Sequence, residues 1–536
     1  MYRAPLNGMW RGSNPVSLLR PLAGVMLLSV SGITAVQAGD LEFKKTYSNV
    51  VDSPIGLGGA SNLAISPDNR HIYVAAATDA GIGLFKRDTN GQPSYIGFHL
   101  AADDLGSSHL PLKVIVTADG ANLYVALSPL DNKEKPKVAL YVRDPGSGEL
   151  TFKKSYEAPD KVSDLAISSD GKSLYFSGKN SVSVFGRDTT TGELTPLETK
   201  SGVDGLADSA GLALTPDGKC LFVAGAVDNA VAVFSRDSSG RLSFVEALRN
   251  DPSKGVTGLS GASSVALSPD GINLYVAGTT DNALAVFKRN SDNCKVSYLE
   301  AWTQAKVPQF NAITSVIASP NGSRVYVSFG ASGTQSAIAI FSTEPDSRKL
   351  KFIEVQSTSS NGVLSMTPTP NGAYLYAAAP ADNGGKVSVF RTANSAPTPA
   401  DDRVELIPGE NITLHVLAND TDPDNDVLHL AGADGSSTQG GTVVLNDDGT
   451  ITYTAPHGFQ GNDSFSYRVS DVRDAEPVVA QVNVTVKPVS TETPVDTGGG
   501  VSSSSGGGSG AMDGWFGMLL LSAVAIRRRV ARRYIR

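Results

Sequence analysis

A chain of 536 residues that is 40% hydrophobic and 18% charged is too long for one ordinary domain and has the composition of folded protein. Its formal net charge is −8, and removal of the terminal segments described below, which carry nine arginines and Asp513, changes the charge to about −16. Such a surface repels phosphate backbones, so the charge argues against nucleic acid as a partner.

The first 38 residues have the pattern of a secretory signal peptide. Three arginines precede the apolar run Pro21–Ala38, which ends in Val36-Gln37-Ala38, and small residues at these positions are what signal peptidase accepts. The run is short for a membrane span and is interrupted by Gly and Ser, which disfavours an uncleaved anchor. We therefore expect cleavage after Ala38 and export of the protein.

Residues 39–394 contain one unit that recurs seven times at a spacing of about 50 residues. Each unit has a tight Ser/Thr-x-Asp/Asn turn, a strand rich in Tyr and Val, a strand ending in Val-Phe-x-Arg or a variant of it, and a last strand such as LTFKKSY. The turns begin at Ser66, Thr117, Ser168, Thr215, Ser268, Ser319 and Thr369. Four strands per unit with no helical period predict an all-β fold, a seven-bladed β-propeller.

The N-terminus of the mature chain is predicted to close this ring. The seventh unit ends at Phe390-Arg391 without a fourth strand, whereas LEFKKTY at Leu41 is nearly identical to LTFKKSY at Leu150. We expect this N-terminal strand to complete the last blade, which removes the open edges.

The segments LFVAGAVDNAVAVFSRD at Leu221 and LYVAGTTDNALAVFKRN at Leu274 resemble the YVTN-type propellers, a superfamily that includes lactonase-like proteins. The resemblance covers residues 41–392 and implies the fold more clearly than an activity, since the superfamily contains lactonases, cofactor enzymes and surface proteins. Cys220 and Cys294 are the only cysteines. They fall at non-equivalent positions of neighbouring units, and the sequence leaves their pairing open.

After a linker at residues 395–401 the pattern changes to a small β-sandwich at residues 402–487. The segments LANDTDPDNDVLHL and GTVVLNDDGTITYTAPHGFQGNDSFSYRVSD resemble the cadherin-like tandem repeats of bacterial adhesins. That resemblance makes Ca²⁺ a plausible cofactor, because its crowded carboxylates are hard oxygen ligands. The alternative is a solvated acidic turn. The candidate metal ligands are Asp402, Asp420, Asp422, Asp424, Asp426 and Asp471.

The C-terminus consists of a Gly/Ser/Thr-rich tether at residues 488–514 and a hydrophobic, Arg-rich segment at residues 515–536. The tether cannot bury a core, and the apolar run Trp515–Ile526 is brief for a stable span. Together they resemble the GlyGly-CTERM sorting tail, which implies a rhomboid-like sorting protease as a partner. The alternative is a weak membrane anchor. Both predict the cell envelope or outer surface of a Gram-negative-type bacterium, with the protein held there or released.

Few residues suggest chemistry. The six histidines form no paired metal-ligand motif, and no nucleophile elbow, Walker motif or dinucleotide fingerprint occurs in its required setting. Propeller ligands usually bind where the innermost strands begin, at one mouth of the channel. The ionisable candidates there are His109, Lys113, Asp164 and Asp208. They could also be ordinary lining of a wet channel.

Two functions remain open at this point. The first is a surface-anchored binding or adhesion scaffold, in which the propeller presents loops to an extracellular protein or glycan. The alternative is an exported lactonase-like hydrolase that acts at the channel mouth and needs a base and a charge to activate water. The expected location favours the scaffold, because a phosphorylated cytosolic sugar lactone would not be met outside the membrane.

Overall fold

The computed structural model describes residues 40–488, except 49–55, 106–108, 131–133, 331–334, 345, 381–383, 425 and 474–476. The predicted signal peptide and sorting tail lie outside the described residues. The described helices are the five-residue α1 (Ala101–Leu105) and two 3-10 turns, Pro252–Lys254 and Val416–Ala418. Within these ranges no helix has the length and apolar content to cross a membrane.

Seven four-stranded antiparallel sheets follow one another around the ring, which confirms the propeller. Each sheet begins with its innermost strand, which lines the channel. Blade 1 consists of β2 (Ala60–Ile65), β3 (His71–Ala76), β4 (Gly81–Arg87) and β5 (Pro93–Leu100), and blade 2 of β6 (His109–Val116), β7 (Asn122–Pro129), β8 (Lys137–Arg143) and β9 (Leu150–Glu157). Blade 3 consists of β10 (Asp164–Ile167), β11 (Ser173–Ser177), β12 (Ser181–Arg187) and β13 (Leu194–Ser201), and blade 4 of β14 (Ser209–Leu214), β15 (Cys220–Gly225), β16 (Ala230–Arg236) and β17 (Leu242–Arg249). Blade 5 consists of β18 (Ala262–Leu267), β19 (Asn273–Gly278), β20 (Ala283–Arg289) and β21 (Val296–Trp302), and blade 6 of β22 (Ile313–Ala318), β23 (Arg324–Phe329), β24 (Gln335–Thr343) and β25 (Leu350–Asn361). Those of blade 7 are β26 (Ser365–Pro368), β27 (Tyr374–Ala379), β28 (Lys386–Thr392) and the N-terminal β1 (Leu41–Ser48).

The repeated turn is held by its own hydroxyl group. In blade 1 the buried Ser66 Oγ accepts from the amide of His71 at 2.9 Å and donates to Asp68. The corresponding amide bond occurs in all seven blades, at 2.9 or 3.0 Å. Because a buried hydroxyl without partners would be costly, this geometry explains why the first turn residue is always Ser or Thr.

The N-terminal strand closes blade 7, as expected from its sequence. β1 pairs antiparallel with β28 from Leu41 opposite Thr392 to Ser48 opposite Lys386. Leu41 is buried in a core shared by blades 6 and 7, and Tyr47 is buried in one shared by blades 7 and 1. Closure therefore contributes backbone hydrogen bonds and apolar burial at both sides of the last blade.

A buried arginine at the end of the third strand ties each of four blades to the blade before it. Arg143 of blade 2 is 1% exposed, and its Nη2 lies 2.8 Å from Asp68 of blade 1 while its Nε donates to the Tyr73 hydroxyl. We call the contact between neighbouring blades a seam and each such Arg–Asp pair a seam pair. The other three are Arg187–Asp119, Arg236–Asp170 and Arg289–Asp217.

The seam pair has an electrostatic signature. Burial opposes ionisation of Asp68, but hydrogen bonds from Ser66 and Arg143 outweigh it and lower the pKa of Asp68 to about 2. A depressed carboxyl pKa means that stability is fully present above the unfolded value near 4 and is lost as the pH falls toward 2.

The remaining three seams lack this pair. In blade 6 Thr343 takes the arginine position, and Asp270 of blade 5 is instead bound by Arg348 at 2.5 Å. Blade 7 has Thr392 at that position, and its neighbour blade 6 has Asn321 in its turn. Blade 1 keeps its arginine, Arg87, but the turn of blade 7 offers Asn371 in place of aspartate.

Cys220 and Cys294 form a disulfide bond with a Cα–Cα distance of 5.7 Å. Cys220 begins the second strand of blade 4, whereas Cys294 lies in the turn before the last strand of blade 5. These positions differ within the repeat but face each other across a seam. The same relation places Gly240 of blade 4 against Ser173 of blade 3.

The second domain is a β-sandwich, as predicted, with sheets of four and three strands. In sheet order they are β29 (Asp402–Leu406), β35 (Val478–Val486), β34 (Gly461–Asp471) and β31 (Leu428–Ala433), and then β30 (Asn411–Leu414), β33 (Ile451–Thr454) and β32 (Thr442–Leu445). Alternate residues of both sheets form one core that includes Tyr453, Phe465 and Tyr467. Such alternation is what a two-layer sandwich requires.

The sandwich supplies an ion pair at the seam between blades 6 and 7. Asp426 and Arg473 lie 2.6 Å apart with side chains only 3% and 5% exposed. Asn321 donates to Asp426 at 2.9 Å, and Arg473 donates to Thr392 and to the Ala393 carbonyl. The two residues that replace the propeller's own seam pair are therefore both bound by the second domain.

Deletion of Leu41–Tyr47 is predicted to destabilise the propeller severely, because it exposes the edge of β28 and uncovers two cores. We expect the transition temperature to fall by about 10 °C or more. Thermal unfolding measured by circular dichroism tests this, with a seven-residue deletion at 500–506 as the control. Equal transition temperatures for the two deletions would contradict the closure argument.

Candidate functional site

One position of each innermost strand contributes to a polar ring around the channel. The strand register places these residues at equivalent points of their blades. The ring consists of Asn62, Lys113, Asp164, Ser264, Ser315 and Ser365, with Gly211 in blade 4. Asn62 donates to Ser365 at 2.9 Å and accepts from the Val114 amide, so ring members also bind neighbouring blades.

Lys113 and Asp164 are the ionisable members of this ring, and the structure brings them together. Lys113 Nζ lies 3.3 Å from Asp164 Oδ1, and the side chains are 30% and 21% exposed. Asp164 Oδ2 accepts from the Leu212 amide at 3.1 Å. The carboxylate is thus held by blades 2, 3 and 4 while remaining partly accessible, which is what a base that must reach water requires.

Asp208 belongs to a second, outer ion pair. It precedes β14 with a positive φ of 52°, and its carboxylate lies 3.7 Å from Lys161 Nζ with both side chains about half exposed. Within the described residues, no hydrogen bond or ion pair joins this pair to Lys113–Asp164. Lys161 was not among the candidates from the sequence, because it lies before the innermost strand β10 rather than at its start.

His109 is set apart from both pairs. Its side chain is buried in blade 2, and its Nε2 lies 3.3 Å from the Lys135 carbonyl. Among the four sequence candidates, the contact that the described residues show is the one between Lys113 and Asp164. Lys113 and Asp164 occupy equivalent positions of neighbouring repeats, and this equivalence could have predicted their contact from the sequence.

The six predicted metal ligands fall into three groups. Asp402 and Asp420 both approach the Tyr467 hydroxyl, and burial raises the pKa of each carboxyl. Asp471 is buried and accepts from the Asn394 side chain and the Arg473 amide. The third group is Asp422, Asp424 and Asp426, each with a carboxylate oxygen within 4.8 Å of the others.

This third group only partly fits a calcium ion. Oxygens at this separation can share an ion with Ca–O distances near 2.4 Å, and Asp422 Oδ2 is buried without a hydrogen-bond partner. Arg473, however, neutralises Asp426, and Asp424 accepts from the Ser395 amide at 2.7 Å. Calcium therefore stays a prediction and has to compete with domain docking for the same carboxylates.

If calcium binds this loop, it should raise the unfolding temperature of the second domain. A tenfold excess over Kd corresponds to about 1.4 kcal/mol. Asp422→Asn should abolish the shift, because it removes one of the three clustered carboxylates. The described hydrogen bonds of Asp422 come from the Asp424 and Asp426 amides and not from the propeller. Calorimetry with calcium and with chelator measures it, and the exposed Asp447→Asn is the control. Identical wild-type transitions in both conditions would return the loop to an acidic turn.

Comparison with known proteins agrees with the fold. The family model for "Lactonase, 7-bladed beta-propeller" matches residues 151–247 and 211–315, and the model for "Bacterial Ig domain" matches residues 394–486. The chain thus carries a lactonase-like seven-bladed propeller followed by a bacterial Ig domain.

Individual relatives are similar to the propeller. A 6-phosphogluconolactonase of Enterobacter sp. (strain 638) is 24% identical over 54% of this chain and 81% of its own length. The structure of a candidate 6-phosphogluconolactonase from Bacteroides uniformis shares 20% identity, with a TM-score of 0.49 over 59% of this chain and 88% of that one. The periplasmic gluconolactonase of Pseudomonas aeruginosa also shares 20%, with a TM-score of 0.47 over 56% and 85%.

These matches correct the expected function. The sequence favoured a binding or adhesion scaffold over a hydrolase, and this preference is wrong. The family model that matches within the propeller is that of lactonases, and a relative at 24% identity is a 6-phosphogluconolactonase. A phosphorylated cytosolic lactone is only one member of the lactone class, so a location outside the membrane does not exclude lactone hydrolysis.

Proposed function

We propose that the chain is a hydrolase that opens lactones at the channel mouth. The observation that carries this proposal is the Lys113–Asp164 pair, a carboxylate and an ammonium 3.3 Å apart on adjacent innermost strands. The match to the lactonase family model supports it.

The pair provides the two groups that ester hydrolysis by water needs. Asp164 accepts a proton from a water molecule as the water oxygen attacks the lactone carbonyl carbon. The Lys113 ammonium stabilises the resulting oxyanion. When the intermediate collapses, the bond between the carbonyl carbon and the ring oxygen breaks, and Asp164 returns the proton to that oxygen. Lactone and water become one hydroxy acid, and Asp164 is regenerated.

Sugar lactones are the substrate class to assay first, since the relatives are named as gluconolactonases and 6-phosphogluconolactonases. Lys113 can serve as counter-ion for the carboxylate product. The outer Lys161–Asp208 pair lies where the fourth innermost strand begins, and we place it among the groups that contact the sugar hydroxyls.

Asp164→Asn is predicted to lower kcat/KM for lactone hydrolysis by about 100-fold or more, because it removes the base. Lys113→Gln should lower it by about tenfold or more through loss of oxyanion stabilisation. Proton release from glucono-1,5-lactone and from its 6-phosphate, corrected for spontaneous hydrolysis, measures both.

Lys154→Gln is the matched control. Lys154 lies on the outer strand β9 and forms an exposed ion pair with Glu193, so its replacement should leave the rate unchanged. Hydrolysis by Asp164→Asn at the wild-type rate would reject the assigned base. A wild-type rate no higher than the spontaneous one, for both lactones, would reject the proposed function.

We also propose that the enzyme acts outside the cytoplasm, at the cell envelope of a Gram-negative-type bacterium. The signal-peptide pattern, the GlyGly-CTERM-like tail and its expected rhomboid-like protease support this location, as does a disulfide in the propeller. We also propose that the propeller is of the YVTN type and that the second domain is of the cadherin-like type.

The mature protein is predicted to begin near Gly39 and to end within the Gly/Ser-rich tether, because both terminal segments carry processing patterns. Intact-mass measurement on protein from the native host would test both ends. Retention of the terminal arginines would contradict the sorting-tail assignment, and retention of residues 1–38 would contradict export by cleavage.

A further inference from the structure

The seam between blades 7 and 1 has the arginine of a seam pair without its carboxylate. Arg87 Nε donates to the Tyr376 hydroxyl and Nη1 donates to the Asn69 carbonyl, both at 2.9 Å. Arg143 makes the equivalent two bonds and adds a third to Asp68. Asn371 stands at the position of that aspartate, so this third interaction is missing for Arg87.

A second replacement removes the other acceptor of the guanidinium. At the first three seams Nη2 also contacts the residue that begins the second strand, which is His71, Asn122 or Ser173. In blade 7 this residue is Tyr374, whose ring lies 5.1 Å from Arg87 Cζ. The aromatic face attracts the cation but accepts no conventional hydrogen bond.

Both replacements lie beside a basic cavity of about 390 Å³. Arg87, Lys44, Arg391 and Arg473 line it, together with the amides Asn90 and Gln92. None of the described residues that line it is acidic.

Two of the four lining cations already have carboxylate partners. Glu42 binds Lys44 at 2.6 Å, Asp426 binds Arg473, and Asp88 accepts from the Gln92 amide. Within the described part of the chain, Arg87 and the exposed Arg391 are thus cations without a carboxylate partner. This local excess of positive charge occurs in a chain of net charge −8.

We propose that this cavity binds a small oxyanion, a phosphate or carboxylate group that takes the place of the missing aspartate against Arg87. A planar guanidinium with a free edge matches such oxyanions in geometry as well as in charge. The neighbouring amides suit hydroxyl groups of a larger ligand. A polyanion such as nucleic acid does not fit, since the chain as a whole has a net charge of −8 and would repel it. The site is separate from the Lys113–Asp164 pair, and its occupancy does not depend on the proposed hydrolysis.

Asn371→Asp restores the aspartate of the other seams and is the sharpest test. Titration calorimetry of the full exported chain at low ionic strength, with inorganic phosphate and with citrate as probes, should show binding by the wild type. Asn371→Asp should weaken it at least tenfold without lowering the unfolding temperature, because Arg87 gains a partner. The neutral Asn371→Ser should bind as the wild type does.

Arg391→Gln provides an independent variant at an exposed position and should weaken binding several-fold. Preference for phosphate or for citrate identifies the group that the cavity takes. Wild-type protein that binds neither probe at 10 mM, an excess over the millimolar range of weak sites, would overturn the proposal. So would affinity that Asn371→Asp and Arg391→Gln both leave unchanged.

Discussion

The structure depends on how neighbouring blades are held at the seams of a closed ring. Each blade packs its apolar residues against the next blade, so no blade has a complete core alone. Where a buried arginine crosses a seam, its aspartate partner must be present, since removal of the carboxylate leaves an uncompensated buried charge. Four seams satisfy this demand with residues of the repeat itself.

The three exceptional seams explain features that appear unrelated at first. At the seam between blades 5 and 6, Arg348 binds Asp270 from a turn. At the seam between blades 6 and 7 the Ig domain contributes Asp426 and Arg473. Part of its acidic loop therefore docks on the propeller and is not a solvated turn. At the seam between blades 7 and 1 no described residue replaces the carboxylate, and a basic cavity lies beside Arg87. The disulfide adds a covalent link at the seam between blades 4 and 5, which also has a seam pair.

Much of the fold could be predicted from the sequence, because blades repeat and the repeat is local. Seven turns predict seven sheets, and the likeness of Leu41 and Leu150 segments predicts closure. Contacts between blades could not be predicted so easily, since they join residues about 70 positions apart. Cys220 and Cys294 therefore seemed mismatched, and Arg473 gave no sign of its role. Lys113 and Asp164 were both candidates, but their contact follows only from the ring register.

A double-mutant cycle measures how strongly the arginine and aspartate of a seam pair are coupled. Unfolding free energies would be measured for Arg143→Gln, Asp68→Asn and the double variant, and for Arg87→Gln, Asn371→Ala and their double variant. We expect a coupling energy of about 1–3 kcal/mol between Arg143 and Asp68, and less than about 0.5 kcal/mol between Arg87 and Asn371. Equal coupling at the two seams would contradict the account.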